Sequence, residues 1–371
     1  MKNSLIVITI FILLCSFIIT VNDVTAQTST ITIWSDGSVS SSSSIQRAGD
    51  TYVLTADLNS PIEIRKNNII LDGANHTLKA PHGSNSDAAI SLKASNITVT
   101  NFHIDGWMVG IYGAYNNNTI TENEITGTYR AITLYATDYV ISKNIIQRND
   151  QGIYSKDVLP STKSNNLIIS NQIVGNGWAF NIINSNRTII TQNNITENDV
   201  ILTISGGLNG KYTDAGYHLL YSNNFVDNQQ ALYVPPFTNG PFMSGYSSVS
   251  PAGNWDNGKT GNHWSDYATR YTDASEAGNT GIGNTAYLIE SEPITWNNGN
   301  GGKGETILGK AIDRYPLIHA VDTSTDSPNS SINIFNRYVV VVILVLALLV
   351  IILIVVTYRK KHPKATEIGL C

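Results

Sequence analysis

The chain has 371 residues and 40.3 kDa, room for one large domain or two medium ones, and at 42% hydrophobic content it can bury a core. Only 14% of residues are charged, the formal charge is -5 and the pI is near 5.8, which excludes a nucleic-acid binder needing a basic face for phosphates. The two cysteines, Cys15 and Cys371, stand at opposite ends and exclude a disulfide framework or a cysteine zinc site.

Residues 1–26 read as a secretory signal. Lys2 gives the positive start, Leu5 to Val21 the apolar stretch, and Val24-Thr25-Ala26 a small-residue cleavage site. Residues 27–66 fit no repeat and are expected to cap the open end of the repeat region, since an uncovered sheet edge invites aggregation.

From 67 to 239 the chain repeats itself. One position holds Phe102, Asn123, Asn144, Asn171, Asn193 and Asn223, with steps of 21, 21, 27, 22 and 30 residues. Three residues earlier stand Val99, Ile120, Ile141, Ile168, Ile190 and Leu220. Two later stand Ile104, Ile125, Ile146, Ile173, Ile195 and Phe225; nine later, Ile111, Ile132, Ile153, Phe180, Leu202 and Leu232. Between these apolar columns Thr, Ser, Asn and Tyr alternate, the period of a strand with one face buried. A unit of about 21–30 residues with short strands broken by Asn and Gly predicts an all-β parallel β-helix. An earlier coil is expected at Asn68 to Leu92.

The recurrent Asn is expected at a corner. Asn tolerates the left-handed conformation, and its amide can bond to the equivalent amide above and below. Asn149, Asn176, Asn198 and Asn228, five residues further on, mark a second corner. The extra residues of the longer units, Ser155 to Ser164 and Ser205 to Tyr217, come after the last strand of a coil and predict loops on one edge of the rod.

Residues 240–321 form a non-repetitive tail expected to pack on the coils. Residues 322–337 read as a polar stalk. Residues 338–356 run from Tyr338 to Val356 with no charge, long enough for a single membrane-crossing helix. Arg359, Lys360, Lys361 and Lys364 then place the tail, 357–371, in the cytoplasm and the bulk of the chain outside the cell membrane.

Several segments carry a family resemblance. They are Tyr52-Val53-Leu54-Thr55-Ala56-Asp57, Asn68-Ile69-Ile70-Leu71-Asp72-Gly73 with the 21-residue coils, Gly261-Asn262-His263-Trp264-Ser265-Asp266-Tyr267, Gly281-Ile282-Gly283-Asn284 and Arg314-Tyr315-Pro316-Leu317. Over about residues 45–320 the chain resembles NosD-like right-handed parallel β-helix proteins, described as periplasmic copper-binding or as carbohydrate-binding and sugar-hydrolase (CASH) domains. The anchored arrangement resembles an archaeal surface protein. The resemblance implies right-handed coils and either copper or sugar as ligand.

The residues support these ligands unequally. Copper sites cluster His, Met and Cys, but His76, His82, His103, His218, His263 and His319, with Met108 and Met243, show no metal-binding spacing. In the tail, Asn284 and Ala286 replace the Asp and Pro of a family pattern that resembles a calcium loop, and only Asp273 and Glu276 precede it. No resident metal or other cofactor is expected. No register column stacks two acids, as a polysaccharide lyase or glycoside hydrolase of the CASH type would need, so the reading leans away from catalysis.

One outward column, Tyr112, Thr133, Tyr154, Asn181, Thr203 and Tyr233, offers aromatic faces suited to sugar rings. The plainer reading is the ordinary preference of Tyr and Thr for exposed strand positions. A glycan platform of Tyr112, Tyr154 and Tyr233, extended by Trp107 and Trp178, is the site expectation. Polysaccharide or envelope proteins are the expected partners. Sequons at Asn75, Asn96, Asn117, Asn186, Asn194 and Asn329 permit N-glycosylation, at about the number chance supplies in so Asn-rich a chain. The function expected is therefore a non-catalytic, membrane-anchored glycan binder or envelope scaffold. A sugar-cleaving enzyme and a copper-binding maturation factor are the alternatives.

Overall fold

The computed structural model describes residues 29–323 apart from 41–42, 82–87, 157–164, 184–186, 206–217, 234–252, 292–293, 298–302 and 308–309. The expected signal, the membrane segment, the cytoplasmic tail and nearly all of both expected loops lie outside the described residues. Among the described residues no helix is long and apolar enough to cross a membrane. The one α-helix described, Tyr267–Arg270, has four residues.

Three sheets run the length of the coils, parallel throughout except that Ile45–Ala48 joins Thr51–Leu54 as an antiparallel hairpin at the start of the second. Sheet I has nine strands from Ile31–Ile33 to Gln230–Tyr233, and sheet II nine from Ile45–Ala48 to Leu219–Tyr221. Sheet III has eight, from Thr77–Lys79 to His263–Trp264. Each coil passes through II, III and I in turn: Ile97–Thr100, His103–Asp105, Val109–Gly113, then Thr119–Thr121 of the next coil. This is a parallel β-helix, and successive parallel connections of this kind wind right-handed. The sequence register holds throughout. Ile120, Ile141, Ile168 and Ile190 pair rung to rung, as do Ile104, Ile125, Ile146, Ile173, Ile195 and Phe225. All three apolar columns are buried in one core.

The ladders reach past the aligned segments at both ends. Ile31–Ile33 pairs with Ile62–Ile64, which pairs with Ala88–Leu92. His263–Trp264 adds the final rung of sheet III against Asn224–Val226.

The first corner is fixed by amides. Asn123 donates its backbone N–H and its Nδ2–H to Asn144 Oδ1, at 3.0 and 3.1 Å. The same pair of bonds runs from Asn144 to Asn171, to Asn193, to Asn223 and to Asn262. Each Nδ2 also donates to carbonyls of its own coil and of the preceding one, as Asn144 does to Ser142 and Ile120. A second ladder links Asn149, Asn176, Asn198 and Asn228.

One detail departs from expectation. The left-handed residue is the one before each ladder position: Asn101, Glu122, Lys143, Ser170, Gln192 and Ser222, with φ between 53° and 59°. The ladder Asn must hold its amide along the rod, so its neighbour absorbs the chain reversal. That neighbour's side chain is not buried, which leaves its type free.

The third corner, from sheet I to sheet II, carries the length variation. Ranges 157–164 and 206–217 fall there, between Gln151–Lys156 and Leu167–Ile169 and between Val200–Ser205 and Leu219–Tyr221.

Asn144→Ala should destabilise the protein by roughly 2–4 kcal/mol in urea unfolding, because it strands two donors of Asn123 and two carbonyls in the interior. Asn101→Ser, at a left-handed position outside the Asn–Asn series, should cost less than about half as much.

Candidate functional site

The outer face of sheet I brings together most of the expected platform. Register pairs align Glu63, Ser91, Tyr112, Thr133, Tyr154, Asn181, Thr203 and Tyr233 in one outward column. The Tyr112 and Tyr154 rings do not meet directly. Tyr135, one residue beyond the sheet I strand of its coil, stands between them at centroid distances of 5.7 and 6.1 Å. Lys93 Nζ lies 4.8 Å from the Tyr112 ring centre, and the Arg130 guanidinium carbon 3.9 Å from that of Tyr154. A cation at this range is held by the negative face of the ring. Arg130 Nε also donates to Gln151 Oε1, which accepts from Asn181 Nδ2.

The face is not uniformly open. Tyr112 and Tyr233 are half-buried, but Tyr154 is only 6% exposed, with Thr133 and Thr203 buried beside it. The reading of Tyr154 as solvent-facing is therefore corrected. Its side chain leaves the core, as alternation requires, and then lies under Arg130 and against Tyr135. Burial raises the phenol pKa of both Tyr112 and Tyr154, so both remain neutral hydrogen-bond donors near neutral pH.

Trp178 pairs in register with Gln151, one outward column away, and is half-buried. Trp107 is not on this surface. It is 2% exposed, and its indole N–H donates to Leu78 O at 2.9 Å inside the second corner, so it is a packing residue. Thr133 Oγ1, Asn181 Oδ1, Thr203 Oγ1 and Trp178 Nε1 are buried without a hydrogen-bond partner.

The open part of the face is a cleft of about 510 Å³ at its N-terminal end. Tyr112, Lys93, Ser91, Glu63 and Met108 line it. Just after the first strand of the same sheet, Trp34 is 42% exposed, with the Arg65 guanidinium carbon 4.9 Å from its ring centre. Trp34, Arg65, Lys93 and Tyr135 were not legible as site residues. The first two belong to a segment that matches no copy of the repeat. The others stand two places past the outward column of Ser91, Tyr112 and Thr133, where alternation extended by two residues would have found them.

A second cleft, of about 390 Å³, lies between the last coil and the tail, against Phe225, Trp264 and Tyr287. Its acids are engaged. Asp266 accepts from Tyr287 Oη on both oxygens, Asp227 from Ser265 Oγ, and Glu290 pairs with Lys310. Beneath it Trp264 stacks on Tyr287 at 4.1 Å. Asp256 holds Arg314 in a two-pronged ion pair. Burial pushes the Asp256 carboxyl up, but the Arg314 and Gly258 bonds outweigh it and hold it below the usual range.

The tail also ends the first amide ladder. Asn262 has no further Asn to donate to, and Asp313 Oδ2 accepts its backbone N–H at 2.7 Å, with Trp264 Nε1 at 3.0 Å. Gly261 leaves the room; a Cβ there would overlap the carboxylate. Burial pushes the Asp313 carboxyl up to about 6, against the three N–H donors that favour its ionised form.

The sequons lie apart from these clefts. Asn75, Asn96 and Asn117 are exposed at corners, and Asn194 is half-buried in a sheet III strand; Asn186 and Asn329 lie outside the described residues. In the loop where the family pattern resembles a calcium site and this chain departs from it, Asn284 Oδ1 accepts from Ser275 N and Glu276 Oε1 from Gly281 N.

Three stacked parallel sheets, inward aliphatic columns and amide-laddered corners define the class as a parallel β-helix protein. The chain belongs to the NosD family: the model of the periplasmic copper-binding protein NosD matches residues 43–269. No curated protein matches it. Among solved structures it is similar to the tailspike protein of E. coli bacteriophage HK620, in one case a mutant in complex with a hexasaccharide and in the other a double mutant. Identity is 13% in both, with TM-scores of 0.39 and 0.38; 57% and 56% of this chain is covered, and 43% of each tailspike chain. The chain thus spans less than half the length of those tailspikes.

The family's description implies copper. Among the described residues no three His, Cys, Asp or Glu converge on a point that could hold a metal. His103 faces Glu124 at 3.0 Å, His76 faces Asp57 at 3.2 Å, and His263 Nδ1 lies 3.3 Å from Leu317 O. Met108 lines a cleft without a histidine. These residues do not fit a copper centre.

The packing has two measurable consequences. Tyr154→Ala should lower stability by about 2–3 kcal/mol in chemical unfolding, since it empties a buried ring site under Arg130. The Asp313 shift also has a sign. The native state holds its proton more tightly than the unfolded chain, so stability falls as pH rises from about 4 to about 6 and then levels, by roughly 3 kcal/mol. Subtracting the pH profile of Asp313→Asn from that of the native protein should isolate this slope.

Proposed function

We propose that the protein is a non-catalytic glycan-binding protein of the cell exterior, held to the membrane by Tyr338 to Val356. The observation that carries this reading is the contiguous aromatic ribbon Tyr112–Tyr135–Tyr154 leading out of an open cleft on sheet I. A sugar ring presents an apolar face that stacks on an aromatic ring, and hydroxyls that need donors and acceptors around it. The cleft offers both: the Tyr112 ring beside Ser91, Lys93 and Glu63. A rigid sheet suits the task, because its side chains are ordered before the ligand arrives. Against catalysis stands the employment of the acids. Glu63 pairs with Arg65, and the carboxylates of the second cleft hold Tyr287, Ser265 and Lys310.

Binding of the purified full-length protein to a polysaccharide array tests the reading; no binding to any polysaccharide would end it. On the polysaccharide bound best, Tyr112→Ala should weaken binding about fivefold, equivalent to about 1 kcal/mol, the scale of one aromatic contact. Its thermal midpoint should stay close to that of the native protein, because Tyr112 is half exposed to the cleft.

A further inference from the structure

Charge is distributed against the balance of the chain on this one face. The whole protein carries -5. Sheet I pairing places the residues after Ile33, Ile64, Leu92, Gly113, Leu134 and Ser155 in a third outward column: Trp34, Arg65, Lys93, Ala114, Tyr135 and Lys156. Arg130 adds a cation from the column on the other side of Tyr112 and Tyr154. On the described sheet I strands, with the described residue that comes after each, these four cations face one carboxylate, Glu63, which Arg65 already pairs; Asp157, next after Lys156, lies outside the described residues. Asp150 and Asp199 stand one residue before their strands, at the second corner. Among the described residues neither Lys93 nor Arg130 has a carboxylate within ion-pair distance. Each lies instead over a tyrosine ring.

Ring faces set between cations that, among the described residues, have no carboxylate beside them select for a sugar that is itself an anion. A neutral glycan would use the rings and leave the ammonium and guanidinium groups unpaired. A uronate or sulfated sugar would stack on Tyr112 and Tyr135 and place its acid on Lys93 or Arg130. We infer that the ligand of the sheet I cleft is an acidic polysaccharide, carrying carboxylate or sulfate on successive sugars. This rests on the glycan-binding reading and names its substrate class.

The test uses the purified full-length protein and four probes: polygalacturonate, its methyl ester, heparin and neutral dextran. Titration calorimetry at low and at physiological salt measures each affinity. At least one acidic polymer is expected to bind about tenfold more tightly than either neutral polymer at low salt, with the advantage shrinking as salt screens the cations. Lys93→Gln combined with Arg130→Gln should remove that advantage and its salt dependence, and Arg130→Lys should keep most of both. Thermal unfolding of each variant checks the fold. The single variant Lys93→Gln, at a partly exposed position, should still lose part of the advantage if Arg130→Gln disturbs Tyr154. Equal binding of acidic and neutral polymers would overturn the inference and leave the glycan reading standing. Binding of none of the four, together with an empty polysaccharide array, would overturn both. Acidic binding unchanged in the folded double variant would place it elsewhere and also overturn the inference.

Discussion

The interaction on which the rest depends is the amide-to-amide hydrogen bond at the coil corners. A buried primary amide left unpaired costs as much as the bonds it forgoes. In this rod Asn123, Asn144, Asn171, Asn193 and Asn223 each receive from one neighbouring coil and give to the other, while also donating to carbonyls within reach. The geometry allows one vertical spacing and one register. Once the corner is pinned, the inward aliphatic columns have to align, and so do the outward ones. The aromatic ribbon is thus a by-product of order in the interior: the tyrosines meet because the asparagines do.

Much of this was legible because a repeat reports its own register. The position of Asn123 and the apolar residues around it required only that copies be compared. Direction, however, is not exposure. Tyr154 points outward as alternation requires, yet Arg130, 24 residues earlier, lies across it. Trp107 stands among polar corner residues in the sequence and is nonetheless drawn inside to donate to Leu78. Asp313 was beyond reach for another reason: it meets Asn262 across 51 residues of non-repetitive chain, and no periodicity connects them. Trp34 and Arg65 escaped because a coil without a copy gives nothing to align.

The three outer faces differ in chemistry although the interior treats them alike. Sheet II presents mainly hydroxyl and aliphatic residues over its central strands, such as Thr119, Thr121 and Ser142. Sheet III mixes signs, with Lys79 on Asp105 and His103 on Glu124. Sheet I sets Arg65, Lys93 and Arg130 over rings along its outer face, where sheet II does so at Arg47 over Tyr52 in its first hairpin. Since the core residues satisfy the fold by themselves, each outward column is free to answer to whatever meets the surface. That separation lets a family keep one architecture while its ligands change.

The Asp313 carboxylate gives the rod a direction and an end. Every amide in the first ladder both takes a hydrogen bond and passes one on. A carboxylate takes what Asn262 offers and, once ionised, has no N–H or O–H to hand forward. In the language of polymers it is a terminating group on a chain of otherwise bifunctional units. Two such rods cannot join end to end through this column, because the incoming coil would find an acceptor already filled and no donor waiting. The number of rungs in that column is closed by chemistry as well as by sequence length.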